Sequence, residues 1–258
     1  VEIIDARIPI SSRNPNIDEI LENKPRVILM NKKDLADDRE TRKWIEHFER
    51  QGHKTVLINS LTGDGINLVE KACRSQLEDK FAKLKEKQIQ SEVIRLMVVG
   101  IPNVGKSTFI NKIAKRKSAR VGNKPGVTRS QQWIKIRGNM ELLDTPGVLW
   151  PKFEDQEVGL HLAYTGAIKD EIMDSENLAF YLIKDLMKLD PKYIEDRYDM
   201  DSEGMENIDI MDAIARRRGF ILRGNEIDYL RTANTVLDEF RSGMLGKITL
   251  ETVEDLNV

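Results

Sequence analysis

The stretch that decides the fold reads Leu96-Met97-Val98-Val99-Gly100-Ile101-Pro102-Asn103-Val104-Gly105-Lys106-Ser107-Thr108. An apolar run ends at one glycine, and a second glycine follows after four residues with a lysine and a hydroxyl side chain behind it, which is the pattern G-x-x-x-x-G-K-[ST]. Residues 94–99 read as a strand and residues 106–114 as a helix, so the pattern sits at a strand-to-helix turn. There, backbone N–H groups from Asn103, Val104 and Gly105 to Thr108 can cradle phosphate oxygens at the helix N-terminus. Lys106 places a cation on the β and γ phosphates, and Ser107 offers magnesium a hydroxyl. The plain alternative is a glycine-rich turn without a ligand, and the flanking strand and helix weigh against it.

Working outward, three further strand ends carry matching chemistry. Asp144-Thr145-Pro146-Gly147 follows the apolar residues 140–143; its carboxylate can reach magnesium through water, and the Gly147 N–H can meet a γ-phosphate. Thr128, in Pro125-Gly126-Val127-Thr128, lies between these two motifs, where a switch threonine coordinates magnesium when the γ-phosphate is present. Lys106, Thr128 and Gly147 are therefore the expected catalytic set. Upstream, Asn31-Lys32-Lys33-Asp34 ends the run 26–30 and fits N-K-x-D. A carboxylate at Asp34 accepts both N1–H and N2–H of guanine, a donor pair that adenine lacks. Asn59-Ser60 ends residues 55–58 and fits a loop whose backbone amide meets guanine O6.

Strand-like runs at 1–6, 26–30, 55–58, 94–99, 132–136 and 140–143 alternate with helical patterns at 38–50, 68–87 and 106–114, the rhythm of a doubly wound, mostly parallel α/β sheet. Beyond Pro151 the strand signals stop. Leu178, Leu182, Leu186 and Ala179, Ile183, Met187 form i, i+4 stripes, and Ile227, Leu230, Leu237 and Phe240 form another before Gly243. The expected division is residues 1–168 for the α/β domain and 169–258 for a small all-helical domain. The chain opens at Val1, inside a strand, so residues upstream are expected.

At 258 residues with 40% hydrophobic and 33% charged side chains, the chain can bury one large core and one smaller one. It contains no apolar run long enough to span a membrane. One cysteine, Cys73, cannot form an internal disulfide, and a reducing cytoplasm is the expected compartment. The net charge of −2 hides an asymmetry. Residues 71–137 hold 17 Lys and Arg against 4 Asp and Glu, a net +13, while residues 166–258 hold 12 against 21, a net −9. The basic segment fits either a polyanion-binding surface or the solvated faces of helices. Arg216-Arg217-Arg218 likewise fits RNA contact or a helix C-terminus, where cations suit the dipole.

Together these motifs resemble the Ras-like GTPase superfamily, except that N-K-x-D and the last base loop precede the phosphate loop. The chain therefore resembles the circularly permuted GTPases, a cyclic shift that compact domains with neighbouring termini tolerate. Within them, Asp5-Ala6-Arg7-Ile8-Pro9, Ser130-Gln131-Gln132-Trp133, Gly147-Val148-Leu149-Trp150-Pro151-Lys152 and Thr165-Gly166-Ala167-Ile168-Lys169 are similar to the bacterial ribosome biogenesis GTPase A family. That resemblance implies hydrolysis of GTP to GDP, with magnesium, and potassium held by Asn103. It implies action late in maturation of the large ribosomal subunit, contact with its rRNA, no DNA or membrane partner, and a monomer. It also implies a catalytic histidine in an upstream segment, which none of His47, His53 and His161 matches. The residue after Gly147 is Val148, which cannot orient water by hydrogen bonding, so slow hydrolysis without the ribosome is expected; a GTP-binding scaffold with negligible hydrolysis and a GTPase coupled to tRNA modification or translation are the alternatives.

Overall fold

The computed structural model describes residues 1–21, 24–89, 93–114, 133–136, 138–143, 155–168 and 174–257. It divides into two units, Val1–Pro151 with Glu251–Val258, and Lys152–Leu250.

In the first unit, strands β1 (Glu2–Asp5), β2 (Val27–Asn31) and β3 (Lys54–Leu57) pair in that order, all parallel. Strand β4 (Ile94–Met97) pairs in parallel with β6 (Met140–Leu143), which pairs antiparallel with β5 (Trp133–Lys135). The two sheets join at β1 and β4, where Ile3 N–H donates to the Val99 carbonyl at 2.8 Å and Val99 N–H donates to the Val1 carbonyl at 2.9 Å. The spatial order is thus β3-β2-β1-β4-β6-β5, and β1 is flanked by β2 and β4. Every residue of β1 and β2 is buried. Such continuous burial is what parallel strands covered on both faces require, and it explains their unbroken apolar runs.

Helix α1 (Ile17–Leu21) is followed by α2 (Asp38–Arg50), which starts where the Asp37 carboxylate caps the N–H groups of Arg39 and Glu40 at 2.8 and 2.9 Å. Trp44 and Phe48, one turn apart, are fully buried against Ile4, Ala6, Ile28 and Met30. Truncating Phe48 to alanine there would cost about 3–5 kcal/mol. The single helix expected over 68–87 is instead α3 (Val69–Ser75) and α4 (Glu78–Glu86). The last turn of α3 tightens, with Leu77 N–H donating to the Arg74 carbonyl at 2.9 Å, and Glu78 and Asp79 open a new first turn. Cys73 is buried in α3, and no residue of α4 is fully buried. Helix α5 (Lys106–Ile113) follows β4.

The first unit also includes the end of the chain. The buried Glu251 carboxylate accepts Ile10 N–H at 2.6 Å and Ser11 N–H at 3.1 Å, and its carbonyl accepts the Trp44 indole N–H at 2.9 Å.

The second unit is helical: α6 (Gln156–Tyr164), α7 (Ser175–Leu189), α8 (Lys192–Tyr198), α9 (Asn207–Arg218) and α10 (Tyr229–Ser242). Leu178, Leu182, Ile183 and Leu186 from α7 pack with Ile210 and Ile214 of α9 and Val236, Leu237 and Phe240 of α10. Asp174 caps α7, and Gly219 and Gly243 end α9 and α10. Glu239 joins α10 to α8 and α9 through Arg197 at 2.8 Å and Arg218 at 2.6 Å, and Arg217 pairs with Asp199 at 3.1 Å. Two of the three arginines ending α9 are therefore engaged within this unit.

Candidate functional site

Strand β4 delivers the chain into the glycine-flanked loop. Gly100 adopts φ +153°, and a Cβ there would lie 2.4 Å from the Ile3 carbonyl oxygen, so the loop leaves β4 pressed against β1. Ile101 and Val104 are buried, anchoring the loop, while Asn103 is exposed at φ +56°. At Gly105, φ is +103° and a Cβ would meet the Asn31 amide nitrogen at 2.3 Å. Only glycine fits such a position. Helix α5 begins at the next residue without a side-chain cap, leaving its first-turn amides available to an anion. Phe109 is buried below, and Ser107 is exposed on the first turn.

Lys106 is half-buried, and its ammonium donates to the Ile101 carbonyl within the same loop. Burial lowers its pKa to about 8. A cation held partly out of water gains from a nearby polyphosphate, which restores the charge that desolvation disfavours.

The end of β2 supplies the second half of the site. Asn31 is buried and uses both ends of its amide: Nδ2 donates to the Val104 carbonyl at 2.7 Å, while Oδ1 accepts from Ser60 N–H at 2.9 Å and Ser60 Oγ at 2.8 Å. One side chain thus clasps the loops after β2, β3 and β4. Lys32, at φ +61°, places its ammonium 2.8 Å from Asp5, and Lys33 lies 2.5 Å from Asp64. The turn closes with Leu35 N–H donating to the Lys32 carbonyl at 2.9 Å, and Asp34 is exposed at its tip. Asn59 shapes its own loop, with Oδ1 accepting from Leu61 N–H at 2.9 Å and Thr62 N–H at 3.0 Å. Of the expected site residues, Asn31, Ser60, Val104 and Gly105 come into direct contact. Thr128, Asp144 and Gly147 lie outside the described residues.

The described residues fit a polyphosphate: an uncapped helix start, a glycine that admits close approach, and a desolvated lysine. Among them no group of three or more His, Cys, Asp or Glu could hold a metal. Magnesium would meet the exposed Ser107 hydroxyl, in keeping with its habit of taking few protein ligands alongside phosphate and water. Two residues beside the base loop, Asp5 and Arg7, carry no nucleotide signature in their own chemistry. The structure connects them to that loop: Asp5 lies opposite Asn31 in the β1–β2 register, and Arg7 bonds the Asp5 carboxylate.

The protein from Bacillus cereus called ribosome biogenesis GTPase A is 49% identical over 255 residues, covering 99% of this chain and 86% of its own length. The chain belongs to the ribosome biogenesis GTPase A family. A model described as 50S ribosome-binding GTPase matches residues 95–211, and mitochondrial ribosome-associated GTPase 1 of Bos taurus is 34% identical, covering 97% of this chain and 81% of its own length. GDP-bound YlqF, a solved structure at 24% identity, shares the fold with a TM-score of 0.67, covering 98% of this chain and 93% of that one. Membership of this family makes the chain a GTP-binding, GTP-hydrolysing enzyme built on a P-loop GTPase domain. No helix among the described residues is long and apolar enough to cross a membrane.

Proposed function

We propose that this GTPase is a cytoplasmic, monomeric assembly factor that docks on the large ribosomal subunit and its rRNA in the GTP state and leaves after hydrolysis, late in maturation. The observation that carries this reading is the Asn31 clasp, which joins a phosphate loop and a guanine-type base loop into one site. The names of the relatives supply the ribosomal context. Asp34 reads guanine, the residues 103–108 hold the phosphates, and Ser107, Thr128 and Asp144 hold magnesium. Lys106 and the Gly147 N–H stabilise charge on the γ-phosphate as it transfers to water. Val148 contributes no polar group to that water, so potassium near Asn103 and the ribosome supply the remaining acceleration.

The order of the motifs supports a cyclic permutation of the Ras-like chain. The base loop at residues 31–34 precedes the phosphate loop at 100–107, yet their strands lie on either side of β1, which pairs with β2 and bridges from Glu2 to Val99 just after β4. A chain so permuted runs from the switch at residues 144–147 straight into the helical unit, so the γ-phosphate biases the part that touches rRNA, expected within residues 169–258, of which 251–258 belong with the first unit. The test is sedimentation with purified subunits in a non-hydrolysable GTP analogue or in GDP, at two salt concentrations. Tighter association with large subunits in the analogue, weakened about tenfold or more by moderate salt, is expected. Association indifferent to nucleotide, or preferring small subunits, would overturn the assembly reading and leave the GTP site standing.

A further inference from the structure

Asp5 ends β1 directly opposite Asn31, the last residue of β2, and Ala6 N–H donates to the Asn31 carbonyl at 2.9 Å. Its carboxylate is buried and fully engaged. Oδ1 accepts Arg7 N–H at 3.1 Å and Arg7 Nε–H at 3.0 Å, and Oδ2 accepts Arg7 Nη2–H at 2.8 Å and the Lys32 ammonium at 2.8 Å. The backbone of Asp5 is also held, its N–H donating to Ser12 Oγ at 3.0 Å, which in turn donates to the Ile8 carbonyl at 2.7 Å. Burial would raise the Asp5 carboxyl pKa, but the Arg7 guanidinium and Lys32 ammonium overcome it and hold the group well below the usual carboxylate range.

We propose that Asp5 is a positioning residue for guanine-nucleotide binding, its carboxylate anchoring Lys32 so that the base loop keeps its binding shape and Asp34 stays available to the base. The inference rests on the reading of residues 31–34 as the base loop. Arg7 alone would neutralise Asp5, so the second cation is informative: it comes from the one loop residue held in the left-handed region, a conformation a non-glycine residue adopts only when its surroundings hold it there. Lys32 and Lys33 both lie within two residues of Asp34, and either ammonium, left loose, would compete with guanine donors for that carboxylate. Asp5 takes one and Asp64 takes the other.

The test measures GDP affinity, and the turnover number at saturating GTP, for K32M, for K32R and for the paired variant D5N with R7Q. The paired variant exchanges a buried ion pair for neutral groups of similar shape, which avoids leaving Arg7 as an uncompensated buried charge. Expected are GDP dissociation constants raised about tenfold in K32M and in D5N/R7Q, partial recovery in K32R, and, in D5N/R7Q, turnover within about twofold of the parent. Adding K32M to D5N/R7Q is expected to cost no further affinity, because both break the same contact. Parent-like binding by folded D5N/R7Q, or a full additional loss in the combined variant, overturns the role of Asp5. D34N run beside them separates the two readings: if it alone weakens GDP binding, the base loop stands and Asp5 falls, and if none of the variants does, both fall.

Discussion

Asn31 and Val104 lie 73 positions apart, yet the Asn31 amide donates to the Val104 carbonyl at 2.7 Å, and this bond holds the base loop against the phosphate loop. A loop carbonyl tied this way is engaged by the Asn31 amide, which fixes the loop whose backbone N–H groups are the expected phosphate donors. Affinity for the base and for the phosphates should therefore fall together when the tie is cut.

Asn31→Ala removes three hydrogen bonds from a buried group and leaves the Val104 carbonyl and Ser60 N–H without their partner. A stability loss of about 2–4 kcal/mol is expected, with GDP and GTP affinity reduced about equally. Chemical unfolding and nucleotide titration on the same preparation check both. Unchanged binding in a folded variant would remove Asn31 from the site.

Asp34→Asn replaces a two-fold acceptor with a group that offers one acceptor and one donor. Guanine binding should weaken by about a hundredfold or more, and xanthosine nucleotides should be preferred, since the loss of a paired donor set leaves buried polar groups unmatched. Competition of xanthosine and guanosine diphosphates for the variant checks it, and retained GDP affinity would contradict the assignment.

Lys106 makes binding depend on pH in a definite direction. Its pKa in the folded protein is lowered from 10.5 to about 8 by burial. The charged form therefore burdens the fold below about 8, and that cost fades as pH rises toward 10.5. Phosphate binding works the opposite way, because the nucleotide favours the ammonium. GTP affinity should be flat with respect to this group below pH 8 and fall by up to about tenfold per pH unit above it. Titrations from pH 7 to 10 on the parent and on Lys106→Met check it, with the slope above pH 8 lost in the variant.

Glu251→Ala leaves the N–H groups of Ile10 and Ser11 without the carboxylate that accepts them. A loss of about 2–4 kcal/mol in the stability of the GTPase unit is expected, with Glu251→Gln recovering part of it. Unfolding followed by intrinsic fluorescence checks this, since the Trp44 indole N–H bonds the Glu251 carbonyl. A parent-like unfolding midpoint would mean that this segment adds nothing to the unit.

What was legible in the sequence was local. The phosphate loop between β4 and α5, the run closing β2 at Asn31, and the Leu178, Leu182, Leu186 stripe each announce themselves within a window of about a dozen residues, because phosphate chemistry and helical period act over that distance. Helix α6 did not, since Gln156 and Glu157 at its start are exposed while His161, Leu162, Ala163 and Tyr164 at its end are all buried, so burial changes along the helix rather than around it and leaves no amphipathic stripe. The break between α3 and α4 depends on a tightened last turn, which periodicity smooths over. Asp5 with Lys32, and Glu251 with Ile10 and Ser11, are contacts between segments distant in the sequence, and no local pattern pairs one with the other. The basic segment at 71–137 divides: Lys80, Lys83 and Lys85 lie exposed on α4, whereas residues 115–132 lie outside the described residues.

The most direct test of a ribosome-activated GTPase is GTP hydrolysis at single turnover in potassium, measured alone, with purified large-subunit precursors and with small subunits. Slow hydrolysis by the protein alone, at least about tenfold stimulation by large subunits only, and a weaker response in sodium are the expected results. A rate unchanged by large subunits, or raised equally by small ones, would contradict it.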